Sequence, residues 1–236
     1  MLRYLLAFMS GEVDTLSFLI EICVLSFVTI CCLPVHECAH AWMADRLGDS
    51  TGRLKGRISL NPLDHLSLAG TIMLFLFGFG YAKPVPVNIR NFKNRKLHFG
   101  LTALAGPVSN LILAVIFIIV ANIFMMLGSM NEGSTVIQIA HLFFYNVAYY
   151  NVALAVFNMI PFPPLDGSRI LTMVLPDRIY YKILGYERYL FYALFALIFI
   201  FNRIGISPIG SISSFIFGLL QNTVGNAVVS IFGIFM

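Results

Sequence analysis

Charge is what this chain has least of. Only 11% of its 236 residues are charged, against roughly one quarter in a soluble domain, while 59% are hydrophobic and the mean hydropathy is +0.87. That balance excludes an ordinary soluble globule and leaves an integral membrane protein. Lysine and arginine number 15 against 11 aspartates and glutamates, a formal excess of +4. The basic residues fall in gaps between apolar runs, where membrane proteins carry orientation signals, so the excess is no argument for a nucleic-acid partner. Cysteine is sparse too. Cys23, Cys31, Cys32 and Cys38 crowd into one apolar stretch with no partner elsewhere, so they cannot staple distant segments and imply no disulfide framework.

Long apolar runs are what is present. Residues 17–43 form the first, broken only by Glu21 and by Glu37 near its end, and it far exceeds a signal-peptide core. Residues 101–127 and 136–160 are each long enough to cross a bilayer, and the short polar turn 128–135 makes them a helical hairpin. Residues 67–82 are a poor span, being short and carrying Gly70, Gly78 and Gly80. If they cross, lysine and arginine divide ten to five between the two sides; if they dip in and return, thirteen of the fifteen share one side. The positive-inside rule favours the second arrangement and puts residues 45–100 at the cytoplasmic face. The expected fold is an α-helical integral membrane protein, a bundle of about five to six membrane helices. Within it, pieces 72–77 and 81–87 are joined by Gly78-Phe79-Gly80 and carry Pro84 and Pro86, which predicts a small re-entrant β-hairpin with a proline-blunted edge. Such an edge could pair with an unwound peptide segment.

Inside the first run sits His36-Glu37-Cys38-Ala39-His40. Four residues turn about 400° in a helix, so both imidazoles project from one face, one turn apart, as two ligands of a tetrahedral zinc must. Glu37 lies about 100° round from His36, where a general base stands to take a proton from the water a metal activates. Ionisable groups in an apolar helix are expensive and normally functional. The bland reading is a hydrogen-bonded histidine pair with Glu37 salt-bridged to Arg46. A catalytic zinc needs a third protein ligand. Asp166 is the carboxylate that stands out, because Pro161, Pro163 and Pro164 end a helix before it and Gly167 frees the chain to turn after it. On its own it reads equally well as a plain Asp-Gly turn. Cys32, four residues before His36, is a rival soft ligand. Asn158 and Asn110 are amides within apolar helices, each able to stabilise an oxyanion or to hold helices together, with Asn158 the better candidate for nearness to Asp166. The Gly106-Pro107 pair reads as close packing or a kink.

Together, His36-Glu-Cys-Ala-His40, the glycine-rich re-entrant stretch, Ala105-Gly-Pro-Val-Ser-Asn110, and Asn158 through Pro-Pro-Leu-Asp166-Gly167 resemble the site-2 protease family of intramembrane zinc metalloproteases. The likeness runs over about residues 17–190. It implies that His36, His40 and Asp166 bind Zn²⁺, that Glu37 activates water and that Asn158 steadies the intermediate. It also implies substrates that are transmembrane proteins or signal-peptide remnants, cut within or near their spanning segments. With no PDZ and no CBS insert, the chain looks like a minimal prokaryotic core: one membrane-embedded domain over 1–236, with C-terminal helices at 191–236, in the cytoplasmic membrane with its active site toward the cytoplasm. The competing readings are a catalytically inactive membrane adaptor and a metal transporter using the same cluster. A transporter calls for ionisable residues at several depths and internal repeats, whereas this sequence has one main cluster, a lone Glu21 and no repeat.

Overall fold

The computed structural model describes residues 7–77, 82–130, 134–176, 178, 182, 185–204 and 207–235. Helix α1 runs over Thr15–Arg46, capped by Asp14, whose carboxylate accepts from the Ser17 backbone N–H at 2.6 Å. It passes through one π turn at Val28–Cys32, and Pro34 follows in the first turn of the resumed α-helix, where a missing N–H is tolerated. Helix α2 covers Leu68–Phe77, α3 Arg95–Met130, α4 Thr135–Asn158, α5 Asp166–Ile170 and α6 Glu187–Arg203. Helix α7, Pro208–Leu220, continues through a second π turn, Gln221–Gly225, into α8, Asn226–Phe235.

Helices α3 and α4 pack on each other and organise the bundle. Small residues let them approach closely: Ala114 and Ala148 meet Ile118 and Val152, and Phe217 of α7 closes the cluster. Helix α1 lies against α4 through Val24, Val28, Cys32 and Val147. Near the far end of α3, Asn122 and Gln221 exchange side-chain hydrogen bonds of 3.3 and 3.1 Å, so neither amide is left unpaired among apolar neighbours.

Among the described residues, four helices are long and apolar enough to cross a membrane: α1, α3, α4 and Pro208–Phe232. Helix α6 has 17 residues with Glu187, Arg188 and Arg203 at its ends, and α2 has only 10. One expectation needs correction: the re-entrant β-hairpin is absent from the described residues. Its first arm, 72–77, is part of helix α2, and its second is an extended segment that makes a single bridge, Ala82 to Leu66. The joint at 78–81 lies outside the described residues. A helix satisfies its own backbone groups at membrane depth, whereas an isolated pair of strands leaves two open edges, so the apolar arm is more stable as α2.

Residues 47–66 and 82–92 lie beside the end of α1, cross-tied by two buried charges. The Asp49 carboxylate, fully buried, accepts from the Thr51 hydroxyl at 2.5 Å, from Asn91 Nδ2 at 2.7 Å and from the Asn88 N–H at 2.7 Å. Arg57 donates to the carbonyls of Asp64, Lys83 and Pro84. The extended stretch 83–88 is thereby held at both ends. Burial pushes the Asp49 carboxyl up, but hydrogen bonds from Thr51, Asn88 and Asn91 outweigh it and hold the group below the ordinary carboxylate range. A folded value below the unfolded one means that the stabilisation is present above the ordinary range and lost as pH falls through the folded value. Asp49→Asn should therefore lower the melting temperature at neutral pH, by the equivalent of about 1–3 kcal/mol. Thermal melts in detergent from about pH 7 to about pH 3 check this: the gap between the two proteins should close on acidification. A gap of constant size would refute it.

Candidate metal centre

His36 and His40 project from the same side of α1, 3% and 6% exposed, with rings nearly perpendicular at 88° and centroids 4.6 Å apart. Asp166 opens α5 just after the proline-rich turn, and its carboxylate reaches both rings. Asp166 Oδ2 lies 3.3 Å from His36 Nε2 and 3.2 Å from His40 Nε2, and the two Nε2 atoms are 3.0 Å apart. Ligand atoms about 2.0–2.2 Å from a tetrahedral zinc stand about 3.3 Å from one another. The triangle therefore has the edges that one small cation requires, and two imidazoles with a carboxylate are a donor set that suits zinc. Among the described residues these three make up the group of His, Cys, Asp and Glu placed to hold a metal ion.

Helix α3 supplies the floor. A Cβ on Gly106 would lie 2.5 Å from His36 Cε1 and would also collide with the His40 ring, so only glycine lets α3 approach the two imidazoles this closely. Thr102, Gly106 and Asn110 recur every four residues and so share one stripe of α3. The Thr102 carbonyl accepts from His40 Nδ1 at 2.7 Å, and the Asn110 amide lies 3.2 Å from His36 Nδ1. Pro107 sits in the same turn, where it removes one rung of the backbone ladder. Gly167 is required for a different reason. A Cβ there would lie 2.5 Å from the Ile160 carbonyl and clash with that of Met159, where the chain doubles back over the end of α4 and delivers Asp166.

The donors face a cavity of about 810 Å³. Glu37 and Asn158 line the same cavity as His36, His40 and Asp166. Val85 of the extended segment and Phe191 of α6 line other parts of its wall. The Asn158 Nδ2 group donates to the Leu154 carbonyl at 3.0 Å, one turn back in its own helix. Cys32 is not in the donor group: it packs with Val24, Val28 and Val147 and accepts from Asn151 Nδ2 at 3.4 Å. Asn110, weighed as an oxyanion donor or a helix tie, ties α3 to α1 through an imidazole. The close packing expected at Gly106 is present as the floor beneath the rings. Thr102 was missed, since its contribution is a backbone carbonyl.

Because the floor has no room for a side chain, Gly106→Ala should displace the imidazoles and remove bound metal together with activity. Gly128→Ala is the control, since a Cβ there meets only Ile137 at 3.5 Å. Metal content per chain after detergent purification reads the difference, and full metal retention in Gly106→Ala would contradict this packing.

The sequence profile described as Peptidase family M50 matches residues 124–201. Three relatives each bear the name "Putative zinc metalloprotease". YwhC of Bacillus subtilis is 40% identical over 182 residues, covering 75% of this chain and 77% of the relative. Rip2 of Mycolicibacterium smegmatis is 29% identical over 144 residues, 57% of this chain and 51% of its own. MJ0611 of Methanocaldococcus jannaschii is 35% identical over 104 residues, 44% and 49% respectively. No solved structure matched the chain. With a donor triangle built for one cation, spanning helices around it, and a relative of this identity matched over most of both chains, the protein belongs to peptidase family M50, the site-2 protease family of intramembrane zinc metalloproteases.

Proposed function

We propose that this protease cuts membrane-protein substrates within or near their spanning segments, with His36, His40 and Asp166 holding the zinc, Glu37 as general base and Asn158 as oxyanion donor. The observation that supports it best is the convergence of three buried donor atoms on the wall of a cavity that Glu37 and Asn158 also line. When bound, zinc supplies Lewis-acid polarisation and makes water acidic enough to attack at neutral pH. Glu37 then removes a proton from the attacking water and delivers it to the leaving amine as the C–N bond breaks. The Asn158 amide donates to the oxygen of the former carbonyl as charge builds there. Water is excluded elsewhere by the apolar helices, which strengthens each of these interactions.

A helical substrate must unwind before its carbonyl can reach the donors. Ala82, Pro84, Val85 and Val87 line the cavity on an extended stretch. Pro84 and Pro86 carry no N–H and Arg57 takes the Lys83 and Pro84 carbonyls, so pairing with an unwound peptide falls to the backbone groups of the other residues, Val85 and Val87 among them. His36 lies about 30 Å along α1 from Thr15, near the far boundary of a hydrocarbon core about 30 Å thick. Thirteen of the fifteen lysines and arginines lie between 46–96 and 169–188, and several flank this end of α1. The positive-inside rule then sets the site toward the cytoplasm of a prokaryotic cell membrane. Substrates of this reading are transmembrane proteins or signal-peptide remnants, handled by one membrane-embedded domain.

Cleavage of a membrane-spanning substrate in proteoliposomes is the test. Glu37→Gln should lower the rate by about 10²–10⁴-fold with zinc content unchanged. Asp166→Ala and His36→Ala should lose zinc as well as cleavage, and a chelator should stop the wild type until zinc is restored. Turnover in Glu37→Gln at the wild-type rate would remove its role. Full zinc in either of the other variants would strike that residue from the ligand set.

A further inference from the structure

Both imidazoles point Nε2 into the donor triangle, so Nδ1 is the atom left over on each ring. A neutral imidazole carries one N–H, and the nitrogen that binds a metal must be bare. The proton then sits on Nδ1, and a buried N–H needs an acceptor. For His40 the acceptor is settled, because the Thr102 carbonyl at 2.7 Å can only accept. For His36 the polar group at Nδ1 is the Asn110 amide, 3.2 Å away and fully buried.

An amide has two ends with opposite demands. With its NH₂ toward His36, Nδ1 must be bare, the proton moves to Nε2, and the ring can no longer offer that atom to a cation. The amide oxygen, meanwhile, is buried and has no partner in that orientation, so nothing else claims it. A half-turn about Cβ–Cγ exchanges the two ends within the same envelope and brings Oδ1 to Nδ1. We propose that Asn110 is a positioning residue of the metal centre: its amide oxygen accepts from Nδ1–H of His36 and fixes the tautomer whose Nε2 is free for the metal. The proposal rests on His36 being a ligand. It makes the α3 stripe symmetrical, with Thr102 orienting one imidazole and Asn110 the other on either side of Gly106.

The test is metal affinity of the full chain in detergent. Protein stripped of metal is titrated with Zn²⁺ against a chromophoric chelator and with Co²⁺ followed by its visible absorption. Asn110→Asp keeps an acceptor and cannot donate; Asn110→Leu keeps the volume and does neither. Asn110→Leu should bind about 10–100-fold more weakly with an altered Co²⁺ spectrum, while Asn110→Asp should bind as tightly as wild type or more so. Wild-type affinity in Asn110→Leu would overturn the proposal, and so would an Asn110→Asp protein as weak as the leucine variant, since that result requires a donor. Should the leucine variant fail to fold, Asn110→Ala, which likewise neither donates nor accepts, is read in its place. Unchanged affinity in His36→Ala would instead overturn the ligand assignment beneath the proposal, so the two failures are told apart.

Discussion

Asp166 Oδ2 stands 3.2–3.3 Å from two imidazole nitrogens, 8% exposed and surrounded by helices built for lipid. An unpaired carboxylate in such surroundings costs several kcal/mol, and two imidazoles pressed together relieve that only in part unless a cation completes the set. The backbone around the three donors is shaped by this constraint. Gly106 exists so that α3 can serve as the floor beneath the rings, and Gly167 so that the chain can fold back across the end of α4. The polar groups of α3 that touch the rings are one carbonyl and one amide, each within hydrogen-bond reach of an Nδ1 atom.

The second organising feature lies outside the hydrocarbon. Asp49 and Arg57 have almost no water to solvate them: Asp49 accepts from backbone and side-chain donors of Thr51, Asn88 and Asn91, and Arg57 donates through both Nη atoms to backbone carbonyls. Buried charges used this way act as ties between segments that have no regular hydrogen-bond ladder of their own. They tie 83–88 at both ends in an extended form while Val85 stays buried, so this part of the cavity wall is held by neighbouring segments. The His65 carbonyl adds a third tie by accepting from the Lys83 N–H at 2.7 Å.

Apolar periodicity and residue spacing revealed much of this in advance. The α3–α4 hairpin and the helix bearing both histidines follow from runs of apolar residues, and the distance between His36 and His40 follows from helix geometry alone. Asp166 was legible as a carboxylate in an unusual backbone setting, although sequence could not say that Gly167 would carry it to α1. The arm 72–77 misled because a short apolar run between glycines has no period that separates strand from helix. Asn110 was ambiguous for another reason: what an amide bonds to depends on which helix faces it, and nothing within one helix records that. Thr102 contributes only its backbone carbonyl, which no side-chain pattern reveals.

The π turn at Val28–Cys32 has a consequence for α1 as a whole. Val24, Val28, Cys32, His36 and His40 are spaced by four residues, and in an unbroken α-helix that row would drift by about 40° at every step and wind away from its neighbours. A π turn advances less per residue and takes back about as much as one such step gains. Three of the four steps keep that drift and one takes it back, so the row still turns by about 80° over its length, its members about 6 Å apart, apolar below and metal-binding above. That turn carries the row from one neighbour to the next: Val24, Val28 and Cys32 pack against α4, while His36 and His40 meet α3.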